Sequence, residues 1–227
     1  MSFDFSGWTL VFDLDGTLVE TAPDLHAALN HTLAHKGLGP VTLDTIRMMI
    51  GDGAKAMIRK GLAHHNAPID QAEIEAELWP VFLDYYAANI TRLSRPFEAT
   101  LDCLQTFQAA RATMAVCTNK AQRLAENVLS GLDMDGYFPT IVGGDALSTK
   151  KPDGAHILET IARAGGDPAR AIMVGDSQTD EKAARNAGLP FVFVSIGYGT
   201  LSGQPDERVR SIDHWRDLPQ ALSQLAG

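Results

Sequence analysis

Two aspartates, Asp13 and Asp15, stand two residues apart at the end of an apolar run. The run, Thr9–Phe12, is typical of a buried strand in a parallel sheet, and Gly16 permits a sharp turn after it. Ligands of open parallel sheets bind beyond the carboxyl ends of the strands, so both carboxylates are expected at a site. Alternation along an extended segment points both side chains the same way. One carboxylate can attack an electrophile while the other donates and accepts protons.

This pair of carboxylates suits phosphoryl chemistry. A carboxylate that attacks a phosphoryl group forms an aspartyl phosphate, which divides one hard displacement into two easier ones. Facing carboxylates repel each other, so a divalent cation is expected between them, and hard oxygen ligands beside a phosphate favour Mg²⁺. Taken alone, however, Asp13 and Asp15 have an alternative interpretation as capping aspartates of an Asp-Gly turn.

Further polar side chains follow a second apolar run, at residues 112–117. Thr118 and Asn119 offer a hydroxyl and an amide that can donate hydrogen bonds to phosphoryl oxygens. Downstream, Lys151 supplies a cation just before Pro152, a residue that suits the first turn of a helix. The alternatives without a functional role are helix caps for Thr118 and Asn119 and a solvated surface lysine for Lys151.

A third apolar run, at residues 171–174, leads to two more carboxylates, Asp176 and Asp180. These too have a simple alternative as helix caps. Turns, helix caps and a surface lysine explain each segment singly, but they do not explain why all four segments occur in this order. Four segments that each place polar groups after an apolar run or before a helix predict one crevice where they converge.

The four segments resemble, in order, the four signatures of the haloacid dehalogenase superfamily of aspartate-based phosphatases. The resemblance implies that Asp13 is the nucleophile and that Asp15 is the acid and then the base. It also implies that Mg²⁺ is held by the Asp13 side chain, the Asp15 backbone carbonyl and Asp176, with Asp180 in support. Thr118, Asn119 and Lys151 would stabilise the phosphoryl oxygens, and Lys151→Ala is expected to slow turnover sharply without unfolding the protein.

Within that superfamily, the chain is similar to the phosphoglycolate phosphatase branch over nearly its full length. The likeness rests on residues 13–25, 50–54, 117–120, 143–145 and 175–177, with departures at Glu20 and Gly154. It implies Mg²⁺-dependent hydrolysis of a small phosphate monoester, 2-phosphoglycolate first. The alternatives are hydrolysis of another small metabolite, a sugar phosphate or a nucleotide, and phosphoryl transfer like that of a β-phosphoglucomutase. A non-catalytic scaffold that binds a partner protein is disfavoured, because every polar site residue is present.

The order of apolar patterns predicts an α/β fold with a doubly wound, Rossmann-like parallel sheet and an inserted helical domain. Strand and helix patterns alternate from residue 93 onward, whereas residues 20–92 read as helices alone. The predicted core comprises residues 1–17 and 93–227, and residues 18–92 form the predicted cap over the nucleophile. One cap helix is expected to start at Ala22-Pro23, and a helix over 71–85 is expected to kink or break at Pro80.

The predicted cap offers several candidates for contact with substrate. Gly51 and Gly53 flank Asp52 between two helical stripes, and their backbone amides could approach a bound phosphate ester. Arg47 and Lys55 lie on either side of this glycine loop and are candidates for a substrate carboxylate; solvated helix charges are the alternative. In the core, the loop after the last predicted main strand, at residues 191–194, carries Tyr198, either facing the crevice or packing in the loop.

Composition restricts the class of protein further. The 227 residues carry a formal net charge of −9, which argues against broad nucleic-acid binding. No apolar run approaches the ~20 residues of a membrane span, and no signal peptide is recognisable, so a cytoplasmic protein is expected. The only cysteines, Cys103 and Cys117, are expected to be free, and His31 and His35 to be surface residues. The expected partner is a small phosphate ester; the sequence does not specify an oligomeric state.

Overall fold

The computed structural model describes residues 4–202 and 206–226. A parallel sheet of six strands in the order β5-β4-β1-β6-β7-β8 forms its centre, and β2 and β3 form a short antiparallel pair outside it. The strands are β1 Thr9–Phe12, β2 Val19–Glu20, β3 Arg95–Pro96, β4 Thr113–Cys117, β5 Thr140–Val142, β6 Ala171–Gly175, β7 Phe191–Val194 and β8 Val209–Ile212. The predicted fold class is confirmed.

The helices lie on both faces of this sheet and in the segment between β2 and β3. They are α1 Ala22–His35, α2 Leu43–Arg47, α3 Ala54–His64, α4 Gln71–Glu73, α5 Trp79–Ala88, α6 Thr100–Ala109, α7 Gln122–Gly131, α8 Gly154–Arg163, α9 Gln178–Asn186 and α10 Leu218–Ala226. Among the residues described, no helix combines the length and apolar character needed to cross a membrane.

The register of the central strands brings the polar segments to one edge of the sheet. β1 lies between β4 and β6, and Phe12 pairs with Val116 on one side and Val174 on the other. The residues that follow these positions therefore leave the sheet at the same level. The four residues of β1 are all buried, as expected for a central strand covered on both faces.

Apolar clusters fill both faces of the sheet. On one face Phe12 stacks between Phe107 of α6 and Trp215, with ring centroids 6.4 and 6.0 Å away. On the other face Ile157 and Ile161 of α8 pack with the inward side chains of β6 and β7. This packing fixes the strand ends from which the polar side chains project.

The helices between β2 and β3 have an apolar cluster of their own. Its buried members include Leu29 of α1, Ile58 of α3 and Phe82 of α5, and Leu124 of α7 joins it from the sheet side. Asp24 in α1 ties the two ends of this segment together, because its carboxylate accepts hydrogen bonds from the backbone N–H groups of Leu93 and Ser94 at 2.8 to 3.0 Å.

The helix predicted over 71–85 is irregular before Pro80. Residues Ile74–Leu78 form a π-helix between α4 and α5, and the N–H of Trp79 bonds to the carbonyl of Ile74. Proline lacks an N–H and crowds the preceding turn, so a wider turn before it relieves the conflict. The interruption expected at Pro80 is thus accommodated within a continuous helical path.

The structure corrects two features of the sequence analysis. Pro152 does not lie in the first turn of a helix: Asp153 is the N-cap of α8, and Pro152 precedes it. The sheet also extends one strand beyond β7, because Val209–Ile212 pairs with it in parallel. Only the last residue of this edge strand, Ile212, is buried, and the strand has no continuous apolar run.

Candidate active site

Three of the predicted site residues follow three adjacent strands. Asp13 comes directly after β1, Thr118 after β4 and Asp176 after β6. Asp13, Thr118 and Asp176 are 8%, 1% and 3% exposed, so the polar groups are almost fully enclosed by protein. These polar side chains therefore lie together at one edge of the sheet, as the sequence predicted.

Lys151 brings a buried cation to these carboxylates. Its Nζ lies 2.8 Å from Oδ1 of Asp13 and 2.6 Å from Oδ1 of Asp180, and its side chain is 1% exposed. Burial disfavours the charged ammonium, but the attraction of the two carboxylates outweighs burial and raises the pKa of Lys151 above its ordinary value. Lys151 is therefore a fixed positive charge beside the predicted nucleophile.

Asp180 is held by the start of α9. Its Oδ2 accepts hydrogen bonds from the backbone N–H of Ser177 at 3.1 Å and from Ser177 Oγ at 2.6 Å, while Ser177 Oγ accepts from the N–H of Asp180. This reciprocal arrangement is a capping box. Because Lys151 and Ser177 engage both oxygens of Asp180, this residue is suited to orienting Lys151.

Asp176 is fixed by the loops that surround it. Its Oδ1 accepts from Thr17 Oγ1 at 3.2 Å, and its Oδ2 accepts from the backbone N–H of Tyr198 at 2.7 Å. A Cβ atom on Gly16 would lie 2.3 Å from Asp176 Oδ2, and Gly16 has φ +84°. Glycine is thus required at residue 16 both for its backbone conformation and for the approach of this carboxylate.

The crowding of carboxylates raises two pKa values in the absence of a cation. Burial is the main cause for Asp13, whose pKa rises to about 6 although Lys151 opposes the shift. Burial, followed by repulsion from Asp180 and Asp13, raises the pKa of Asp176 to about 8. Both groups would ionise more readily with a cation beside them.

The donor set fits a hard divalent cation. Single carboxylate oxygens of Asp13, Asp176 and Asp180 all lie within 4.8 Å of one another, and all three residues are buried. Oxygen ligands of this type are those preferred by Mg²⁺. The carboxylate of Asp15 is not in this cluster.

Asp15 faces a different set of partners. Its Oδ1 accepts hydrogen bonds from Thr21 Oγ1 at 2.6 Å and from Lys120 Nζ at 2.9 Å. Lys120 Nζ also donates to the Tyr86 hydroxyl oxygen at 2.8 Å and lies 4.7 Å from the Tyr86 ring centroid. The two aspartates of the first segment therefore occupy distinct environments.

Lys120 and Tyr86, the latter from α5, are both buried. Burial opposes the charge of Lys120, but Asp15 outweighs it and the pKa of Lys120 is raised. Burial raises the pKa of Tyr86 to about 12, so its phenol is neutral at ordinary pH. A buried ammonium and a buried hydroxyl thus meet beside Asp15.

Thr118 and Asn119 have different surroundings. Thr118 Oγ1 accepts from the N–H of Lys120 at 3.2 Å, so its own hydrogen stays available for a phosphoryl oxygen. The Asn119 amide donates instead to the carbonyls of Gly51 at 3.1 Å and Lys151 at 3.0 Å. Asn119 therefore links the glycine loop to the Lys151 segment in this conformation.

A cavity of about 390 Å³ lies between the sheet edge and the helices. Asp13, Asp15, Gly51 and Gly53 all line it, which places the glycine loop opposite the aspartates. Other residues that line it include Lys55, Trp79, Tyr86, Thr118, Asn119, Lys120 and Lys150. Its size is within the usual range for small-molecule sites.

The structure separates the two cationic candidates of the glycine loop. Arg47 is not among the residues that line the cavity, and it pairs with Asp44 at 3.2 Å and with Glu20 at 3.5 Å. Lys55 does line the cavity, but its ammonium pairs with Glu75. Neither side chain has a free ammonium or guanidinium beside the aspartates.

Tyr198 packs against the start of α1. Its hydroxyl oxygen accepts from the N–H groups of Thr21 at 2.8 Å and Ala22 at 2.9 Å, and its hydroxyl donates to Glu20 Oε1 at 3.0 Å. Of the two interpretations of Tyr198, the structure shows the packing one, with the added contact of its N–H to Asp176.

The cysteines and the histidine pair have no assigned role in this chemistry, although Cys117 directly precedes Thr118. Cys103 and Cys117 are free and buried, and burial raises the pKa of the Cys117 thiol to about 12. His31 stacks on Tyr85, whereas His35 bonds to Glu77. Neither histidine belongs to a metal-binding cluster among the residues described.

The chain matches the family of haloacid dehalogenase-like hydrolases over residues 10–194 and belongs to that family. It is a phosphoric monoester hydrolase, as the sequence analysis predicted. It is 42% identical to a phosphoglycolate phosphatase of Caulobacter vibrioides, over 98% of this chain and 93% of the relative. It is 45% identical to a phosphoglycolate phosphatase of Agrobacterium fabrum, over 93% and 91%.

Solved structures share the fold. A predicted phosphoglycolate phosphatase from Haemophilus somnus matches with a TM-score of 0.79 and 28% identity, over 86% of this chain and 88% of the other. CbbY from Rhodobacter sphaeroides, in complex with phosphate, has the same TM-score of 0.79 with 22% identity, over 96% and 98%. The predicted resemblance to the superfamily is confirmed.

Sequence reasoning assigned no role to three residues around Asp15. Lys120 stands in the segment that carries Thr118, but nothing in its spacing marks it as buried. Tyr86 follows Phe82 at helical spacing and reads as a core residue, and Thr21 reads as a helix cap. Only the tertiary structure brings Thr21 and Lys120 to the Asp15 carboxylate and Tyr86 to Lys120.

Proposed function

We propose that this hydrolase cleaves 2-phosphoglycolate, with Mg²⁺, through an aspartyl phosphate on Asp13. The observation that carries the substrate is the 42 and 45% identity to phosphoglycolate phosphatases over nearly the whole chain. The placement of Asp13 and Asp15 in one small cavity supports the chemistry.

Asp13 is the proposed nucleophile. Lys151 lies 2.8 Å from its Oδ1, and no described residue forms a hydrogen bond with its Oδ2, so that oxygen is available to attack phosphorus. Attack forms the Asp13 oxygen–phosphorus bond and breaks the bond from phosphorus to the ester oxygen. Lys151 and the Thr118 hydroxyl stabilise the phosphoryl oxygens while charge redistributes over them.

Asp15 is the proposed proton carrier. Thr21 and Lys120 hold its Oδ1, and its Oδ2 has no hydrogen-bond partner within the described residues. The protonated carboxyl gives its proton to the leaving ester oxygen, which departs as glycolate. The resulting carboxylate then takes a proton from a water molecule, and the hydroxide attacks phosphorus, releases phosphate and restores Asp13.

Mg²⁺ would be held by the carboxylates of Asp13 and Asp176 and by the backbone carbonyl of Asp15. When bound, the cation offsets the negative charge of the phosphoryl group and of the carboxylates. Asp180 keeps Lys151 in place, because its carboxylate contacts the Lys151 ammonium at 2.6 Å. Thr17 and the Tyr198 N–H keep Asp176 oriented.

Residues 18–92 act as a cap that closes over this site in our proposal. The support is that the glycine loop contacts the core through few bonds: Asn119 donates to the Gly51 carbonyl at 3.1 Å and Lys150 donates to the Asp52 carbonyl at 3.2 Å. Breaking these bonds would expose the cavity to solvent, and restoring them would exclude bulk water from the phosphoenzyme.

A trapping experiment tests the nucleophile. The protein is mixed with Mg²⁺ and ³²P-labelled substrate, quenched in acid and digested, and the labelled peptide is sequenced by mass spectrometry. Label on Asp13 is expected, and none in the Asp13→Asn variant. Asp15→Asn with p-nitrophenyl phosphate is expected to accumulate label, because that leaving group needs no acid while hydrolysis still needs a base. Label on another side chain would contradict the proposal.

A substrate panel tests the specificity separately. The panel comprises 2-phosphoglycolate, hexose phosphates and nucleoside monophosphates, ranked by kcat/KM with Mg²⁺ present. We expect 2-phosphoglycolate to rank first and inorganic phosphate to be released in step with its consumption. Isomer formation from a hexose phosphate without phosphate release would favour a mutase instead. Equal efficiencies across the panel would remove the substrate assignment and leave the nucleophile intact.

A further inference from the structure

Lys120 and Tyr86 form a polar pocket that none of the proposed chemical steps uses. Lys120 Nζ donates to Asp15 Oδ1 at 2.9 Å and to Tyr86 Oη at 2.8 Å, so two of its three hydrogens are engaged. The third has no acceptor within the described residues. The Tyr86 hydroxyl accepts from Lys120, and its own hydrogen likewise has no acceptor there.

These unused donors are buried and face the cavity. Lys120 and Tyr86 are 7% and 0% exposed, and both line the cavity that contains Asp13 and Asp15. A buried ammonium strongly favours a second anionic neighbour, and a hydrogen bond to a charged group contributes more than a neutral one. The pocket therefore suits an anionic group of the bound substrate.

The position of the pair relative to Asp15 specifies which group that is. The ester oxygen that leaves must lie within hydrogen-bond reach of Asp15 to receive its proton. In 2-phosphoglycolate a single methylene carbon separates this oxygen from the carboxylate. The carboxylate must then lie close to Asp15 as well, and Lys120, which contacts Asp15, is the buried cation within reach.

We propose that the Lys120 ammonium and the Tyr86 hydroxyl together bind the substrate's carboxylate and select phosphate esters that carry one beside the ester oxygen. This inference rests on the proposed function, since it assigns the specificity of that same site. Lys120 comes from the loop after β4 and Tyr86 from α5, so the sheet domain and the helical segment must both be in place to build the pocket.

The other cations near the cavity are less well placed. Arg47 is directed to Glu20 and Asp44, and Lys55 pairs with Glu75 and lies over the Trp79 ring at 5.5 Å from its centroid. Lys150 lines the cavity but is exposed, and it donates to the Asp52 carbonyl. Arg59 also lines the cavity, but it is only partly buried and its guanidinium donates to Gln71. Among these cations, only Lys120 combines burial with contact to Asp15.

The test compares 2-phosphoglycolate with ethyl phosphate, which replaces the carboxylate by a methyl group. The ratio of their kcat/KM values measures the preference for the carboxylate and cancels losses common to both. We expect Lys120→Met to lower this ratio about 10- to 100-fold, and Tyr86→Phe about 3- to 10-fold, in line with charged and neutral hydrogen bonds. Lys60→Met, which alters a cap lysine that does not line the cavity, is expected to leave the ratio unchanged.

Binding of inorganic phosphate with Mg²⁺, measured by calorimetry, shows that each variant keeps a folded phosphate site. Tyr86→Phe retains the ring, so it tests the pocket even where Lys120→Met fails to fold. An unchanged ratio in both Lys120→Met and Tyr86→Phe would contradict the proposed carboxylate pocket. A lower ratio in Lys55→Met alone would contradict it as well. Neither result would contradict the proposed substrate. A wild-type protein without preference for 2-phosphoglycolate over ethyl phosphate would instead overturn the substrate assignment and the pocket with it.

Discussion

The backbone N–H of Tyr198 donates to Oδ2 of Asp176 at 2.7 Å, while the hydroxyl of the same tyrosine binds the start of α1. One residue therefore contacts both a proposed metal ligand and the segment that leads into the helical region. Burial, followed by repulsion from Glu20, raises the pKa of Tyr198 above its ordinary value, so the hydroxyl stays neutral. The two contacts can be separated, because only one uses the side chain.

Tyr198→Phe is expected to lower stability without weakening cation binding. It leaves the N–H groups of Thr21 and Ala22 without their acceptor, which costs about 1–3 kcal/mol of unfolding free energy. The backbone contact to Asp176 remains. Urea denaturation measures the first effect and calorimetric Mg²⁺ titration the second. Tyr85→Phe is the control, because no hydrogen bond of the Tyr85 hydroxyl is found within residues 4–202 and 206–226. A tenfold loss of Mg²⁺ affinity in Tyr198→Phe would contradict this separation.

Asp24→Ala is expected to loosen the base of the helical segment. The carboxylate is 2% exposed and accepts from the N–H groups of Leu93 and Ser94 and from Ser94 Oγ at 2.7 Å. Its loss leaves buried donors unpaired, at a cost of about 2–4 kcal/mol. Hydrogen exchange should become faster at residues 93 and 94. Ser94→Ala removes one bond only and should cost about 1 kcal/mol. Equal losses in the two variants would disagree with this account.

The sequence predicted the strands that carry the chemistry because each is a continuous apolar run. β1, β4, β6 and β7 are covered on both faces, and such strands need no polar alternation. The edge strand β8 was missed, since half-exposed residues such as Arg210 interrupt its apolar pattern. Residues at the ends of the central strands were accordingly easier to place than those at the edge.

Two of the groups around Asp15 could not be predicted from the sequence, because they come from distant parts of the chain. Lys120 reaches Asp15 across 105 residues, and Tyr86 belongs to a helix whose packing on the sheet no local pattern encodes. The role of Asn119 also depends on tertiary structure: the sequence suggested a donor to phosphate, whereas its amide binds the carbonyls of Gly51 and Lys151. The residue types were enough to predict the kind of reaction. Which groups surround the reacting side chains depends on tertiary packing.

Lys151→Met is expected to affect both turnover and stability. Loss of a preorganised donor to the phosphoryl oxygens should lower kcat about 100- to 1,000-fold. The structure adds that Lys151 separates Asp13 from Asp180, so its removal leaves buried carboxylates unpaired and costs about 3–5 kcal/mol without Mg²⁺. Denaturant unfolding with and without Mg²⁺ measures this loss and its recovery by the cation. The exposed Lys182→Met is the control. Full activity in Lys151→Met would contradict the assigned role.

Stabilisation by Mg²⁺ is expected to increase with pH. Without a cation, burial raises the pKa of Asp13 to about 6 and that of Asp176 to about 8, from a value of 3.8 for the free side chain. The folded state therefore holds these protons more tightly than the unfolded chain, and the stability they contribute, complete below pH 3.8, is lost as the pH rises through 6 and 8. The ionised carboxylates are the form that binds Mg²⁺.

The measurement is the melting temperature with and without Mg²⁺ between about pH 5 and 8, in the wild type and in Asp176→Asn. The gain from Mg²⁺ should grow across this range in the wild type, and Asp176→Asn should lose most of both the gain and its slope. The difference between the two proteins removes contributions from other groups, such as His156, whose pKa burial lowers to about 4. A gain from Mg²⁺ that is equal at both ends of the range, or that survives in Asp176→Asn, would show that the cation binds elsewhere.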